Sequence, residues 1–170
     1  MSEHGIAKSK LYEERKKARE KAREKAQERR EHKEAKERVK TRSEWLRDAQ
    51  KWVNAYVRER DKDLPCVSCG RFHQGQYHAG HYRSVGSEPS LRFEVLQIWK
   101  QCAPCNNHLS GNLIPYRAEL LRRIGPEKLA WIEGPHKPKK YTIDDLKGII
   151  AEYKAKLKEL KKAEGHQSEG

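Results

Sequence analysis

Four cysteines form two pairs with the spacing of metal ligands. Cys66 and Cys69 make the first pair, Cys102 and Cys105 the second, and 32 residues separate the pairs. Two such pairs can supply four thiolates to one tetrahedral zinc ion, which then has no open position for catalysis. The alternative, two redox pairs or unrelated buried thiols, lacks the βαβ context of a thioredoxin-like motif. We therefore predict one structural zinc site.

A histidine segment between the two pairs offers a catalytic group. A neutral imidazole such as His81 can take a proton from water near physiological pH, while Mg²⁺ or Mn²⁺ stabilises the charge that develops on a phosphate. A zinc shared by the two pairs would hold this segment near the residues after Cys105. We therefore predict His81 as a general base, against the alternative of a purely structural histidine. Candidate ligands of the catalytic ion are His78, Asn106 and His108.

Short elements must position these residues. Strands are predicted around residues 72 to 82 and 91 to 99, with a loop rich in Gly, Ser and Pro between them. A helix should start after Cys105 and be interrupted near residues 110 to 112. Tyr116 to Ile124 then predicts a helix closed by Gly125, and Pro126 opens a further one that stops at Gly134.

The N-terminal part is dominated by charged helix formers. Residues 8 to 40 are almost wholly Lys, Arg, Glu, Gln and Ala, which indicates a solvated or fluctuating helix. Residues 1 to 63 carry 21 Lys and Arg against 14 Asp and Glu, so a basic arm that contacts a polyanion is the sharper alternative. A capping box at Thr41 to Glu44 then begins an amphipathic helix that should pack on the core.

The C-terminal part predicts a helix with a continuous apolar stripe. Thr142 should cap this helix, with Asp145 three residues later. The stripe must be buried on the domain itself or on a second copy of the chain, which would be a homodimer through this helix. Its members are Leu146, Ile149, Ile150, Tyr153, Leu157 and Leu160.

The charge of the whole chain favours a nucleic-acid partner. A net charge of +13 over 170 residues favours polyanions, because Lys and Arg release the counterions condensed on phosphates. No run of about 18 apolar residues predicts a membrane span, and no signal peptide is evident, so we expect a cytoplasmic protein. Basic residues around the histidine segment are candidate phosphate contacts: Arg71, Arg83, Arg92, Lys100, Arg117, Arg122 and Arg123.

Together these patterns predict an α+β protein with a small zinc-stabilised domain between a charged N-terminal helix and a C-terminal helical extension. The expected divisions are a charged arm at 1–40, an amphipathic helix at 41–63, a zinc-bound core at 64–116, a helical extension at 117–163 and a disordered tail at 164–170.

The order of these motifs resembles two related groups of nucleases. A C-x-x-C turn, a strand ending in a histidine, a loop, a second C-x-x-C and a helix resemble the HNH (ββα-metal) nucleases. On that resemblance His81 is the general base and Asn106 is a catalytic metal ligand. Gly80 stands where an acidic or histidine ligand is often found, so that His78 takes over that role.

The runs 58–70, 79–83, 91–93 and 110–117 resemble the NinG (Rap) recombination endonucleases of lambdoid phages.

The resemblance implies a structure-specific, metal-dependent endonuclease that cleaves branched recombination intermediates such as D-loops and Holliday junctions. The first alternative is a non-catalytic zinc-dependent module that binds branched DNA. It is favoured by the scarcity of carboxylates, since only Glu88 and Glu94 lie between Cys66 and Asn112 and Mg²⁺ prefers oxygen ligands. The second alternative is a protein-interaction scaffold that works through the C-terminal stripe.

Overall fold

The computed structural model describes residues 3 to 165, with the side chains of residues 10 to 163. It confirms a mixed α+β chain that is mostly helical and has one small antiparallel sheet. The elements are α1 (Glu3–Arg38), α2 (Arg42–Arg60), β1 (Tyr77–His81), β2 (Ile98–Cys102), α3 (Leu113–Glu133) and α4 (Ile143–Gly165). Residues 166 to 170 of the predicted disordered tail lie outside the described residues.

The chain divides into two units, residues 1 to 41 and residues 42 to 170. The first unit contains α1, whose side chains are exposed from Lys10 to Arg38. Side-chain contacts between residues four positions apart stabilise this exposed helix. Examples are Gln27 with Glu31 at 2.8 Å and Lys33 with Glu37 at 3.9 Å. Such a helix has no apolar face, so its stability comes from propensity and charge pairing and not from packing.

The second unit is built on the packing of α2 against α4. Trp45, Ala49, Val53 and Val57 are buried on one face of α2, and the rings of Tyr56 and Tyr153 meet edge to face at 5.2 Å. The same cluster buries three stripe residues of α4: Leu146, Ile150 and Tyr153. The stripe is therefore covered within the chain along this length. A homodimer through α4 stays a prediction.

The N-terminus of α4 has the predicted cap. The Thr142 hydroxyl accepts a hydrogen bond from the Asp145 backbone N–H at 3.1 Å, and the Asp145 carboxylate accepts one from the Thr142 N–H at 2.8 Å. This reciprocal pair, a capping box, thus satisfies the backbone N–H groups of Thr142 and Asp145 at the start of the helix.

The sheet is shorter than the sequence predicts. β1 and β2 pair antiparallel, with Tyr77 opposite Cys102 and His81 opposite Ile98. The prediction that the second strand starts at residue 91 is wrong, because residues 91 to 97 form turns tied by local hydrogen bonds. The buried Gln97 side chain closes them: its amide donates to the Leu91 carbonyl at 2.9 Å, and its oxygen accepts from the Arg83 N–H at 2.7 Å.

A buried ion pair joins α2 to β2. Asp61, at the end of α2, is fully buried and accepts hydrogen bonds from Arg60 at 2.6 and 2.9 Å and from the Lys100 backbone N–H at 2.9 Å. Arg60 also donates to the Ile98 carbonyl at 2.8 Å. Each charged group has several partners, as a buried ion pair requires. The pair fixes β2 against α2.

α3 contains the predicted break. Gly125 has φ of +81°, a conformation that favours glycine, and Pro126 follows it and opens the second half of the helix. Both halves bury side chains in a second cluster with Val67 and Leu91. The helix begins at Leu113, earlier than predicted, after three residues with positive φ, Ser110, Gly111 and Asn112. Over the described residues, no helix has both the length and the apolar character needed to cross a membrane.

Candidate functional site

The structure brings the four cysteines together in one cluster. The Sγ atoms of Cys66, Cys69, Cys102 and Cys105 all lie within 4.8 Å of one another, and none is in a disulfide. A tetrahedral zinc with Zn–S bonds of about 2.3 Å needs sulfur atoms about 3.8 Å apart, and the Cys69 and Cys102 sulfurs are 4.0 Å apart. The cluster can therefore bind a zinc-type metal with small adjustments.

Tight turns and the end of a strand place these four cysteines. In the first turn the Gly70 N–H bonds the Cys66 carbonyl at 2.9 Å, and Gly70 has φ of +65°. Cys102 is the last residue of β2, and Cys105 lies in a π-helical turn formed by Pro104–His108. A shared metal would thus tie the loop after α2 to the end of the sheet and to the approach to α3.

Donors around the cluster are suited to thiolate ligands. The Cys102 N–H donates to the Cys66 sulfur at 3.4 Å, the Asn112 amide donates to Cys105 at 3.5 Å, and His73 Nε2 lies 3.2 Å from Cys69. Outer contacts of this kind orient metal ligands. Burial raises the pKa of the Cys102 thiol to about 12, and hydrogen bonds with the other thiols add to this effect. Metal binding to the cluster would therefore release protons.

His81 ends β1 with its ring held in one orientation. Its Nε2 lies 3.0 Å from the Arg92 carbonyl, and a carbonyl only accepts, so Nε2 carries the proton and Nδ1 is unprotonated in the neutral ring. Burial lowers the pKa of His81, although the hydrogen bond to the Arg92 backbone acts in the opposite direction. His81 is therefore neutral at physiological pH and can accept a proton.

A pocket of about 530 Å³ opens at this histidine, and we call it the histidine pocket. Three distant parts of the chain line it: the end of β1 with the loop after it, the turn before α3, and the last residue of α3. The lining residues are His81, Tyr82, Arg83, Ser84, Ser87, Ser110, Leu113 and Glu133.

Glu133 brings a carboxylate to this pocket. The Tyr82 hydroxyl donates to its Oε1 at 2.6 Å, and Arg117 donates to both carboxylate oxygens at 2.7 and 2.8 Å. The Arg117 guanidinium holds the pKa of Glu133 below its ordinary value, so the carboxylate is ionised. Arg83 donates to the carbonyls of residues 132, 133 and 134 at 3.2 Å each, which holds the end of α3 beside β1.

Comparison with known proteins assigns the family. A family model described as Bacteriophage Lambda NinG protein matches residues 2–164. The chain belongs to the NinG family. It is 52% identical over 123 residues to "Protein ninG" of Escherichia phage lambda, and 50% identical over the same length to the proteins of that name of Escherichia phage 933W and Salmonella phage P22. The matched region is 72% of this chain and 60 to 61% of these relatives. No solved structure matches the chain.

The other histidines and the asparagine predicted beside His81 lie elsewhere in this NinG family member. His78 is three residues before His81 on one strand, so the two side chains leave opposite faces, and the buried Nε2 of His78 has no hydrogen-bond partner. The Asn106 amide donates to Asn107 at 2.8 Å, and His108 is exposed. None of these three residues lines the histidine pocket. Their metal-binding roles stay predictions.

Sequence reasoning missed Glu133 because no local signal marks it. Glu133 lies 52 positions after His81, at the end of a helix beside Gly134 and outside the segment from Cys66 to Asn112 that carries the cysteine pairs and the histidines. Only the packing of α3 on the sheet brings it to the histidine pocket. The segment after Cys105 does reach this pocket, as the spacing of the cysteine pairs predicts, but through Ser110 and Leu113.

The predicted phosphate contacts of this NinG family member fall into two groups. Arg71, Arg117 and Arg122 are exposed, and of these Arg117 is paired with Glu133 and Arg122 with Glu119 at the surface. The others are less accessible: Lys100 is buried and donates to the Lys62 carbonyl at 2.6 Å, and Arg123 pairs with Glu119 at 2.7 Å. Arg92 is half-buried and donates to Gln50 at 3.2 Å, while Arg83 holds the end of α3. The exposed group is the better placed to meet phosphate.

Gly80, directly before His81, lies where any side chain would collide. A Cβ at this position would be 2.1 Å from Oε1 of the buried Gln101, whose amide is held by Ser68 and by the Gly111 carbonyl. We expect Gly80→Ala to destabilise the domain by about 1–3 kcal/mol, the usual cost of overpacking. Thermal unfolding measures this loss. Gly75→Ala is the matched control, since its Cβ meets nothing within 4 Å, and equal melting temperatures for the two variants would contradict the expectation.

Proposed function

We propose that this chain is a metal-dependent DNA endonuclease of the HNH (ββα-metal) type that cleaves branched recombination intermediates, D-loops and Holliday junctions. The observation that carries the proposal is His81, a neutral and oriented imidazole in a pocket that also contains the ionised Glu133. The element order supports it, because β1, β2 and α3 follow the strand, strand and helix of that class. The substrate class is the one that the resemblance to the NinG (Rap) recombination endonucleases implies, and membership of the NinG family is consistent with it.

The proposed role of His81 is to accept the proton of the attacking water at Nδ1. The Arg92 carbonyl keeps the proton on Nε2, so the ring presents its basic nitrogen without a tautomer change. A Mg²⁺ or Mn²⁺ ion bound beside this group would stabilise the charge that develops on the phosphate. Asn106 remains a proposed catalytic residue and ion ligand, with His78 and His108 as further proposed ligands.

Glu133 is a proposed additional ligand of that ion. Mg²⁺ in phosphoryl-transfer sites is typically held by one or two carboxylates, waters and substrate phosphates, and Glu133 is the carboxylate that lines the histidine pocket. Arg117 donates a hydrogen bond to each of its two oxygens. A phosphate that attracts Arg117 would free this carboxylate for the ion, so DNA and ion binding should support each other.

One observation favours the non-catalytic alternative, a zinc-dependent module that binds branched DNA. Among the residues described here, the four cysteines form the one group of three or more His, Cys, Asp or Glu close enough to share an ion. An ion at His81 would therefore rely on water and DNA for most of its ligands. In this alternative the exposed arginines bind phosphates and His81 serves the fold.

A cleavage assay separates the two functions. Purified protein is incubated with a four-way junction, a D-loop and a linear duplex of the same sequence, with Mg²⁺, with Mn²⁺ and with EDTA. We expect cleavage of the branched substrates that needs the divalent ion. Binding of branched DNA without cleavage in any ion would support the binding module. If the protein neither cleaves nor binds branched DNA, the result would support the third function, a protein-interaction scaffold that works through the stripe of α4.

Deleting residues 1 to 40 is expected to weaken DNA binding and flatten its salt dependence. The arm contributes to the excess of 21 basic over 14 acidic residues in positions 1 to 63. Each lost phosphate contact lowers the slope of log affinity against log salt by about 0.9 on duplex DNA. Branch preference and the cleavage rate at saturation should persist, because the cysteine cluster and His81 lie in the second unit. Affinity measured at several salt concentrations checks this.

A charge variant separates the charge of the arm from its length. Replacing Arg19, Arg23 and Arg30 by glutamine keeps the helix and removes three exposed charges, so it should reproduce part of the slope change. An unchanged slope in the deletion would mean that α1 is a solvated spacer. Loss of branch preference would mean that α1 recognises the junction.

A further inference from the structure

A second pocket lies on the other side of the end of α3. Its volume is about 390 Å³, within the range of about 300–1,000 Å³ for ligand sites. Its wall is formed by the segment of residues 90 to 94, Trp131 in the last turn of α3, the linker of residues 135 to 140, Tyr141 and the middle of α4. We call it the linker pocket. None of its residues takes part in the proposed cleavage.

An exposed tryptophan dominates this pocket. Trp131 is 49% exposed, whereas Trp45 is buried and Trp52 and Trp99 are partly buried. The His136 ring meets the indole edge to face at 4.9 Å, a contact that covers less of an aromatic face than stacking does. A large aromatic surface left open beside a second aromatic ring is suited to stacking with a nucleobase.

The charge of the linker pocket suits an anionic ligand. Lys137 and Lys139 line it, and in the described part of the chain neither is ion-paired with a carboxylate; Lys139 lies over the Tyr141 ring at 4.8 Å. Two carboxylates also line the pocket, but both are engaged. Glu94 accepts from the Leu96 N–H at 3.0 Å, and Glu152 pairs with Lys156.

The linker pocket and the histidine pocket are lined by neighbouring residues, and their linings have no residue in common. Trp131 lines the linker pocket and Glu133 lines the histidine pocket, two residues apart on the last turn of α3. Ser90 lines the linker pocket and Ser87 lines the histidine pocket, and both lie in one short loop. The two pockets therefore border the same helix end.

We propose that the linker pocket binds an unpaired nucleotide of single-stranded DNA, with the base stacked on Trp131 and a phosphate near Lys137 and Lys139. The binding step rests on the pocket alone, and its link to cleavage rests on the proposed function. The displaced strand of a D-loop exposes unpaired bases that a continuous duplex keeps stacked, so this site would favour D-loops over linear DNA. The preference would come from an extra contact and not from the sequence of the bases.

The test is binding of a fluorescent oligothymidine and of a duplex of equal length to the full chain. Loss of one base stack costs about 1–3 kcal/mol, so Trp131→Ala should weaken single-strand binding about 5- to 150-fold. Trp131→Phe should restore much of the affinity, and duplex binding should change little. Phe72→Ala is the matched control, an aromatic residue 70% exposed that does not line the pocket.

A lysine variant tests the phosphate contact. Lys137→Gln with Lys139→Gln should lower the salt slope for the oligothymidine by about 0.7 for each lost contact. Unchanged single-strand affinity in Trp131→Ala would overturn the proposal, and so would an equal loss for single strand and duplex. Failure of the endonuclease proposal is distinguishable, because a wild type that cleaves nothing but binds single strands through Trp131 would retain this site.

Discussion

The His81→Ala variant is expected to cleave branched DNA about 10² to 10⁴ times more slowly than the wild type, the usual cost of losing a general base. The residue is half-buried at the end of β1, contributes one hydrogen bond, to the Arg92 carbonyl, and belongs to neither apolar cluster. The fold and the DNA affinity should therefore persist. Single-turnover cleavage at saturating protein gives the rate, with melting temperature and affinity measured in parallel.

The pH dependence of cleavage gives an independent check on the role of His81. Burial lowers the pKa of His81, and the base must be unprotonated to accept a proton, so the wild-type rate should rise with pH to a plateau, with the midpoint of the rise below the ordinary histidine pKa. The cleavage rate of the His81→Ala variant should not show this rise with pH. His32→Ala, a substitution of an exposed histidine on α1, is the matched control and should keep both rate and profile. Full activity in folded His81→Ala would exclude the proposed mechanism.

The Cys102→Ser variant is expected to lose the metal and the folded state of the second unit. Structural zinc contributes about 10–16 kcal/mol in small peptides, as much as the entire stability of a typical domain. Cys102 is both a candidate metal ligand and the last residue of β2, and its N–H donates to the Cys66 sulfur. Losing its thiolate therefore disturbs the strand and the first turn together.

Elemental analysis and two structural signals test this expectation. Fresh wild-type protein should contain one zinc per chain, and the variant much less. Near-ultraviolet circular dichroism should report the loss of packing around Trp99, while α1, a unit without an apolar face, should keep its helical signal. Wild-type protein stripped by a chelator is the control and should match the variant. Absence of zinc from fresh protein, or unchanged thermal stability of Cys102→Ser, would contradict the structural-zinc proposal.

Local sequence signals predicted the parts of the fold whose cause is local. The spacing within each cysteine pair brings two sulfurs together on one turn, and the structure groups all four. The Gly125 and Pro126 break in α3 and the Thr142 cap of α4 also follow from neighbouring residues. The family resemblance, carried by motifs spread along the chain, is confirmed by the family comparison.

The tertiary structure alone decided the positions that depend on contacts between distant residues. Gln97 reaches Leu91 and Arg83, so a segment with the composition of a strand forms turns instead. Leu146, Ile150 and Tyr153 of the α4 stripe are buried in a cluster with α2, a partner that periodicity alone does not identify. Basic residues alike in sequence divide into exposed Arg117 and buried Lys100 because only their surroundings differ.

The histidine pocket shows the physical reason for this division. Sequence spacing and the family resemblance identified His81, since both cysteine pairs flank it and its neighbours carry the motif. Glu133 enters the same pocket only because Arg83 holds the end of α3 against β1, through hydrogen bonds that span about fifty residues. Hydrogen-bond patterns of turns and caps act over a few residues and leave their mark in the sequence. Packing of whole elements acts between residues far apart in the chain, so it exists only once the chain has folded.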